Sequence, residues 1–200
     1  MDEGYIKFNS DWKKTKHLHF SKIEKLNEWR QKLYNINLLG VYPDGIGFGN
    51  VSQRSEGNKF YISGSKTGRH KILDESHYAE VIDFDLKKNW VKCEGATIAS
   101  SESMSHAIIY QQYAHVNAVF HVHDLELWKK LLWKIPTTPK SAPYGSPEMA
   151  NEITQLFKTT AVLHTKLFAM AGHQEGLFAF GNTLDEAGEV LLNLLSSQSS

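Results

Sequence analysis

The stretch Ala118-Val119-Phe120-His121-Val122-His123 decides the reading of this chain. It is apolar except for two histidines placed two residues apart, and it reads as a buried strand ending in a pair of imidazoles. In a strand, positions i and i+2 point to the same side, so His121 and His123 project together. That is workable chelation geometry for zinc, which takes imidazole nitrogen readily. Two histidines hydrogen-bonded at a strand end would look the same, so the pair needs a third partner before it reads as a metal site.

His173 is one such partner. It sits in Ala171-Gly172-His173-Gln174-Glu175-Gly176, a tight turn between two expected strands at 166–171 and 176–180. Three protein ligands with an open fourth position is the pattern of a catalytic zinc rather than a structural one. His164 and His115 compete for the third place. His115 is expected at a helix end, where the macrodipole favours a cation without any metal. His17, His19, His70 and His77 lie among polar residues and read as surface or loop positions.

Upstream, Glu102 stands at the start of an expected helix in Ala99-Ser100-Ser101-Glu102-Ser103-Met104. A carboxylate there is either a partner of the helix dipole or a general base beside a metal. Three small-residue segments can gather round an anion: Gly49-Asn50-Val51-Ser52, Ser63-Gly64-Ser65-Lys66-Thr67-Gly68, and Ser100-Ser101. Backbone N–H groups at glycine turns and at a helix N-terminus, with hydroxyls nearby, form a phosphate site without much net charge. Lys66 or Arg69 would add positive charge. Each segment alone reads equally as an ordinary turn. The Lys66-Thr67 pair does not make a P-loop, because the first glycine of that spacing is missing.

Helix signals occur in four places. Ser21 with Glu24 forms a capping box before Ile23, Leu26, Trp29 and Leu33. Ser100 or Ser101 caps a helix carrying Met104, Ala107, Ile108 and Tyr110. Ser146 followed by Pro147 opens a third, with Met149, Ile153, Leu156 and Phe157 on its apolar side. Thr183 with Glu186 caps a fourth, with Ala187, Val190, Leu191 and Leu194. Strands are expected at 59–62, 79–84, 118–123, 166–171 and 176–180. The irregular alternation predicts a sheet covered by helices rather than a repeated βαβ array.

Composition sets the outer bounds. The 200 residues, 41% of them hydrophobic, predict one domain over 1–200, with polar ends and a frayed Ser/Gln tail. The 22 basic and 22 acidic side chains cancel, which predicts neither a nucleic-acid nor a membrane-surface partner. No apolar run approaches the roughly 20 residues needed to span a bilayer. Residues 1–16 lack the apolar core of a signal peptide. With Cys93 as its one cysteine, the chain is expected in the cytoplasm.

In order along the chain, these pieces resemble the class II aldolase/adducin family. Gly49-Asn50-Val51-Ser52-Gln53-Arg54 is similar to that family's glycine-asparagine-hydrophobic-serine-x-arginine segment. Residues 63–68 resemble its second phosphate loop, and Ser100-Ser101-Glu102 its serine-serine-glutamate. The family's His-x-His follows at His121 and His123, then a match at Gly145-Ser146-Pro147-Glu148, and His173 at the position of the third ligand. The likeness runs from about residue 21 to 195.

The resemblance implies an α/β fold, a three-layer α/β/α sandwich around a largely antiparallel sheet. It implies Zn2+, or another divalent ion such as Mn2+, Fe2+ or Co2+, on His121, His123 and His173, with Glu102 as acid/base. It places the substrate's phosphate on Gly49, Asn50, Ser63, Gly64, Ser65, Thr67, Gly68, Ser100 and Ser101. It further implies a homotetramer with its site at a subunit interface, and aldol cleavage of a small phosphorylated sugar or related carbonyl compound through an enediolate held by the metal. The chain departs from the family in three ways. Gln174-Glu175 separates His173 from Gly176, the phosphate loop is one residue longer, and the segment between His123 and Pro143 is too short to carry the family's tyrosine proton donor. The same family resemblance admits a pentulose-phosphate 4-epimerase, a methylthioribulose-phosphate dehydratase, a metal protein with a non-phosphate substrate, and a non-catalytic adducin-like module.

Overall fold

Residues 118–123 form an interior strand of a nine-stranded sheet. The computed structural model describes residues 5–197. Its strands are β1 (Asn9–Lys14), β2 (Gly40–Val41), β3 (Gly47–Phe48), β4 (Asn50–Arg54), β5 (Phe60–Ser63), β6 (Tyr78–Asp85), β7 (Trp90–Gly95), β8 (Ala118–His123), β9 (Thr137–Thr138), β10 (Leu167–Met170) and β11 (Gly176–Gly181). Its α-helices are α1 (Glu24–Asn35), α2 (Ser103–Gln112), α3 (Leu125–Leu131), α4 (Pro147–Thr159), α5 (Val162–Thr165) and α6 (Leu184–Ser196). The sheet runs β1-β7-β6-β5-β4-β8-β11-β10-β9, and β2 and β3 form a separate small hairpin. Inner pairings are antiparallel; only the edge strands β1 and β9 pair in parallel with their neighbours.

Helices cover both faces, which gives the expected three layers. Strand alternation divides the core in two. Val119 of β8 and Phe178 and Phe180 of β11 pack with Met104 and Ile108 of α2 and Ile153 and Phe157 of α4. Phe120 and Val122 face the other way, toward Leu26, Trp29 and Leu33 of α1 and Leu184 and Leu191 of α6. Phe168 and Phe178 stack at 5.0 Å on the first side. Each such buried ring contributes roughly 1.5–3 kcal/mol. By the same alternation His121 and His123 lie on the α2/α4 side, at the C-terminal end of β8.

Local signals set several element ends. Ser146 Oγ accepts the Met149 N–H at the start of α4, and Thr183 caps α6 through the Glu186 N–H. Two expected caps are corrected. Ser21 lies in a 3-10 turn (Phe20–Lys22), and α1 begins after Ile23 with no side-chain cap. At α2 the N-cap position is Glu102, and Ser100 Oγ accepts the Glu102 N–H instead of capping the helix interior. The glycine-asparagine segment, read as a turn, is the start of a central strand, β4. Among the described residues, no helix is long and apolar enough to cross a membrane.

Candidate metal centre and anion cradle

His121, His123 and His173 converge. Their Nε2 atoms lie 3.0 Å (121–123), 3.0 Å (123–173) and 3.3 Å (121–173) apart, and all three side chains are buried. Sheet register creates this meeting. β11 pairs with β8 so that Gly176 lies opposite His123, and the turn before β11 brings His173 over the end of β8. His173 N–H bonds to Met170 O and Gly176 N–H to His173 O, which fixes the turn. His115 and His164 lie exposed, away from the cluster.

The donor set fits a divalent cation. A nitrogen that donates a hydrogen bond cannot also accept one, so three facing imidazole nitrogens cannot all satisfy one another. A shared cation satisfies all three. Tetrahedral zinc with Zn–N of about 2.0–2.1 Å separates its nitrogens by about 3.3–3.4 Å, close to the triangle seen here. Burial, and then the neighbouring imidazoles, hold His121 and His123 well below the usual histidine range, so both stay neutral and keep lone pairs for a metal. His121 Nδ1–H donates to Leu177 O at 3.2 Å, which leaves its Nε2 as the bare nitrogen. Its ring stacks on Phe178 at 4.4 Å, and Tyr144 lies edge-on to His173 at 4.6 Å.

Beside the triad lies a small polar pocket. It is lined by Gly49, Asn50, Gly64, Ser65, Thr67, Gly68, Ser100, Ser101 and Glu102, together with Gly47 and Lys66. Of the residues expected to hold an anion, Ser63 alone is turned away, with its Oγ accepting the Val51 N–H at 3.1 Å. Asn50 links the two parts of the site, since it pairs with His121 across β4 and β8. Its Oδ1 is buried with no hydrogen-bond partner among the described residues. Gly49 precedes it with φ +71°, and a Cβ there would press on His121 O at 2.9 Å, so glycine is required. Glu102 is buried at the mouth of α2, and its Oε2 accepts from Ser105 Oγ at 3.0 Å.

Two arginines act as positioning residues; Arg30 was not singled out from the sequence, and Arg54 was read only as the end of the glycine-asparagine motif. Arg30 of α1 is buried and donates to Lys71 O (2.8 Å), His70 O (2.6 Å) and Thr67 O (3.4 Å), so it holds the 67–71 loop from beneath. Arg54, which ends the β4 motif, donates to Val116 O, Tyr110 O and Tyr113 O, far from the pocket end of that strand. Both contacts span tens of residues and leave no local pattern to read.

Comparison with known proteins agrees with this geometry. Residues 44–128, which include the cradle, Glu102, His121 and His123, match the family model described as Class II Aldolase and Adducin N-terminal domain. An L-fuculose 1-phosphate aldolase structure superposes with a TM-score of 0.67 at 20% identity, covering 90% of this chain and 84% of that one. The L-fuculose-1-phosphate aldolase of Thermus thermophilus gives 0.57 at 18% identity, with 84% and 83% covered. A sugar-phosphate aldolase from Thermotoga maritima gives 0.61 at 18%, with 88% and 95% covered. At such identities these structures share the fold, and the family model matches residues 44–128, across the cradle and the His-x-His strand, so this part of the chain is similar to the class II aldolase/adducin domain.

Proposed function

We propose that the protein is a divalent-metal-dependent lyase that cleaves, by a retro-aldol step, the bond between the α and β carbons of a small phosphorylated sugar or related β-hydroxy carbonyl compound. The observation that carries this reading is the buried triangle of Nε2 atoms, 3.0–3.3 Å on a side, directly beside a pocket of backbone N–H groups and hydroxyls. A divalent ion on His121, His123 and His173 supplies Lewis acidity that draws electron density from a carbonyl oxygen.

The chain's own residues do the rest. The 64–68 loop, Ser100, Ser101 and the N-terminus of α2 take the phosphate, where the helix dipole favours an anion. Lys66, at the same pocket, adds a positive charge. Asn50, between His121 and the cradle, accepts from a substrate hydroxyl and sets its distance from the triad. Glu102 takes up and returns the proton, its carboxylate oriented by the Ser105 hydroxyl. An assembly of identical subunits, a tetramer as the family resemblance implies, and a cytoplasmic setting belong to the same reading.

An NMR scan of zinc-loaded protein against ketose 1-phosphates, pentulose 5-phosphates and methylthioribulose 1-phosphate tests it, with a chelated control. Chelator-sensitive cleavage is expected. Epimerisation or dehydration instead would keep the site and correct the reaction, and no turnover of any would overturn the reading. Glu102→Gln is expected to keep the metal and lose about 100-fold or more in rate; an unchanged rate removes Glu102 from the chemistry.

A further inference from the structure

We propose that Tyr42 and Glu175 act in series as positioning residues that select the tautomer of His123 and so keep its Nε2 lone pair aimed at the triad. The inference rests on the metal reading above. It follows from one hydroxyl proton. Tyr42 Oη lies 2.9 Å from His123 Nδ1 and 2.8 Å from Glu175 Oε2. A hydroxyl has a single proton to give, and the Tyr42 hydroxyl is the donor to Glu175 Oε2. The Tyr42 proton therefore goes to Glu175, and the Tyr42 oxygen must accept from His123 Nδ1–H. That puts the proton of His123 on Nδ1 and leaves Nε2 bare. Had Tyr42 donated to His123 instead, the imidazole proton would sit on Nε2, inside the 3.0–3.3 Å triangle, and would block a cation. His121 needs no such device, because its Nδ1 faces the backbone carbonyl of Leu177, which only accepts.

The backbone supports this independently. Glu175 has φ +70°, the left-handed region that suits glycine or asparagine and disfavours a long side chain. Its place in the turn is fixed, with its carbonyl accepting the Asp124 N–H at 3.2 Å. A glutamate held in an unfavourable conformation, with its carboxylate on Tyr42, is the mark of a residue kept for its side chain. Tyr42 is placed just as firmly. It sits in the turn of the β2–β3 hairpin, where its N–H donates to Ile46 O and its carbonyl accepts from Gly45 N–H. Its ring packs on Phe48 at 4.5 Å, and Phe48 in turn lies 5.5 Å from the His123 ring.

The test is a cobalt titration of metal-stripped protein, followed by visible absorption against a competing chelator. It compares wild type, Tyr42→Phe, Glu175→Gly and the double variant. Each single variant is expected to bind about 10- to 100-fold more weakly. The double variant is expected to be no weaker than Tyr42→Phe, because Glu175 acts only through the hydroxyl. Glycine relieves the left-handed turn, so the metal-free melting temperature of Glu175→Gly should not fall, whereas a purely structural role would lower it. Long-range 15N NMR of the metal-free protein should show His123 as the Nδ1–H form in wild type and a mixture in Glu175→Gly. Wild-type affinity in the single variants, independent losses that add in the double, or an unchanged tautomer would overturn the relay. A wild type that takes no cobalt would defeat the metal reading instead, and the NMR spectrum would still decide the relay.

Discussion

His106 lies behind the triad on the same side of the sheet, fully buried, with its Nδ1 2.6 Å from Ser52 Oγ. Ser52 Oγ also meets Tyr110 Oη at 2.7 Å, and the Phe178 ring stands between His106 and His121. Burial alone drives the His106 imidazole from 6.5 down to about 3. A group with a depressed folded-state value takes up its proton on unfolding. Its stabilising contribution is therefore present above about pH 6.5 and is lost as the pH falls toward 3. Realised in full, the loss is roughly 5 kcal/mol. His121 and His123, also depressed, act in the same direction when no metal is bound. We expect the melting temperature of metal-free protein to fall steeply between pH 6.5 and 4, and His106→Gln to remove about one proton from that slope. An unchanged slope would mean that His106 is not held neutral. At this scale the His-x-His pair was legible because its meaning is local. Tyr42, 81 residues from His123, and Glu175, 133 residues from Tyr42, meet only through the fold, and no spacing announces them.

Elements were legible where side chains repeat with the right period. β8 was read at 118–123 and runs Ala118–His123, because each of its positions is buried and apolar apart from the histidines. The α4 and α6 caps form as read, with hydroxyls directly before amphipathic runs. β1 left no trace, since all six of its residues are exposed and its parallel pairing with β7 is made by backbone. β7 does alternate, but its inward positions are Val91, Cys93 and Gly95, a weak apolar signal. The packing of α1 on α6 carries a sharp prediction. The Trp29 ring lies directly against Gly188, with its Nε1–H donating to Asp185 Oδ1 at 2.9 Å. A methyl at position 188 would overlap that ring. Gly188→Ala should therefore cost about 1–3 kcal/mol despite the gain in helix propensity. Thermal unfolding measures this, and a variant as stable as the parent would show that the helices separate freely.

Across the whole molecule, the sheet assembles one site from distant parts of the chain. The cradle arrives on β4, the 64–68 loop and the start of α2, the paired histidines on β8, and His173 on the turn before β11. The order of these pieces made the family resemblance legible, and the matched family model over 44–128 agrees with it, although His173 lies outside that span. The side-chain geometry that brings the three histidines together was not legible, because it depends on the β8–β11 register and on contacts made from the β2–β3 hairpin. The most direct test of the account is the zinc stoichiometry of metal-stripped wild type and of a His121→Ala, His123→Ala double variant, by calorimetric titration with circular dichroism to confirm the fold. The account predicts one tightly held ion per wild-type chain and none in the folded variant; a wild type without zinc, or a variant that keeps a full equivalent, would contradict it.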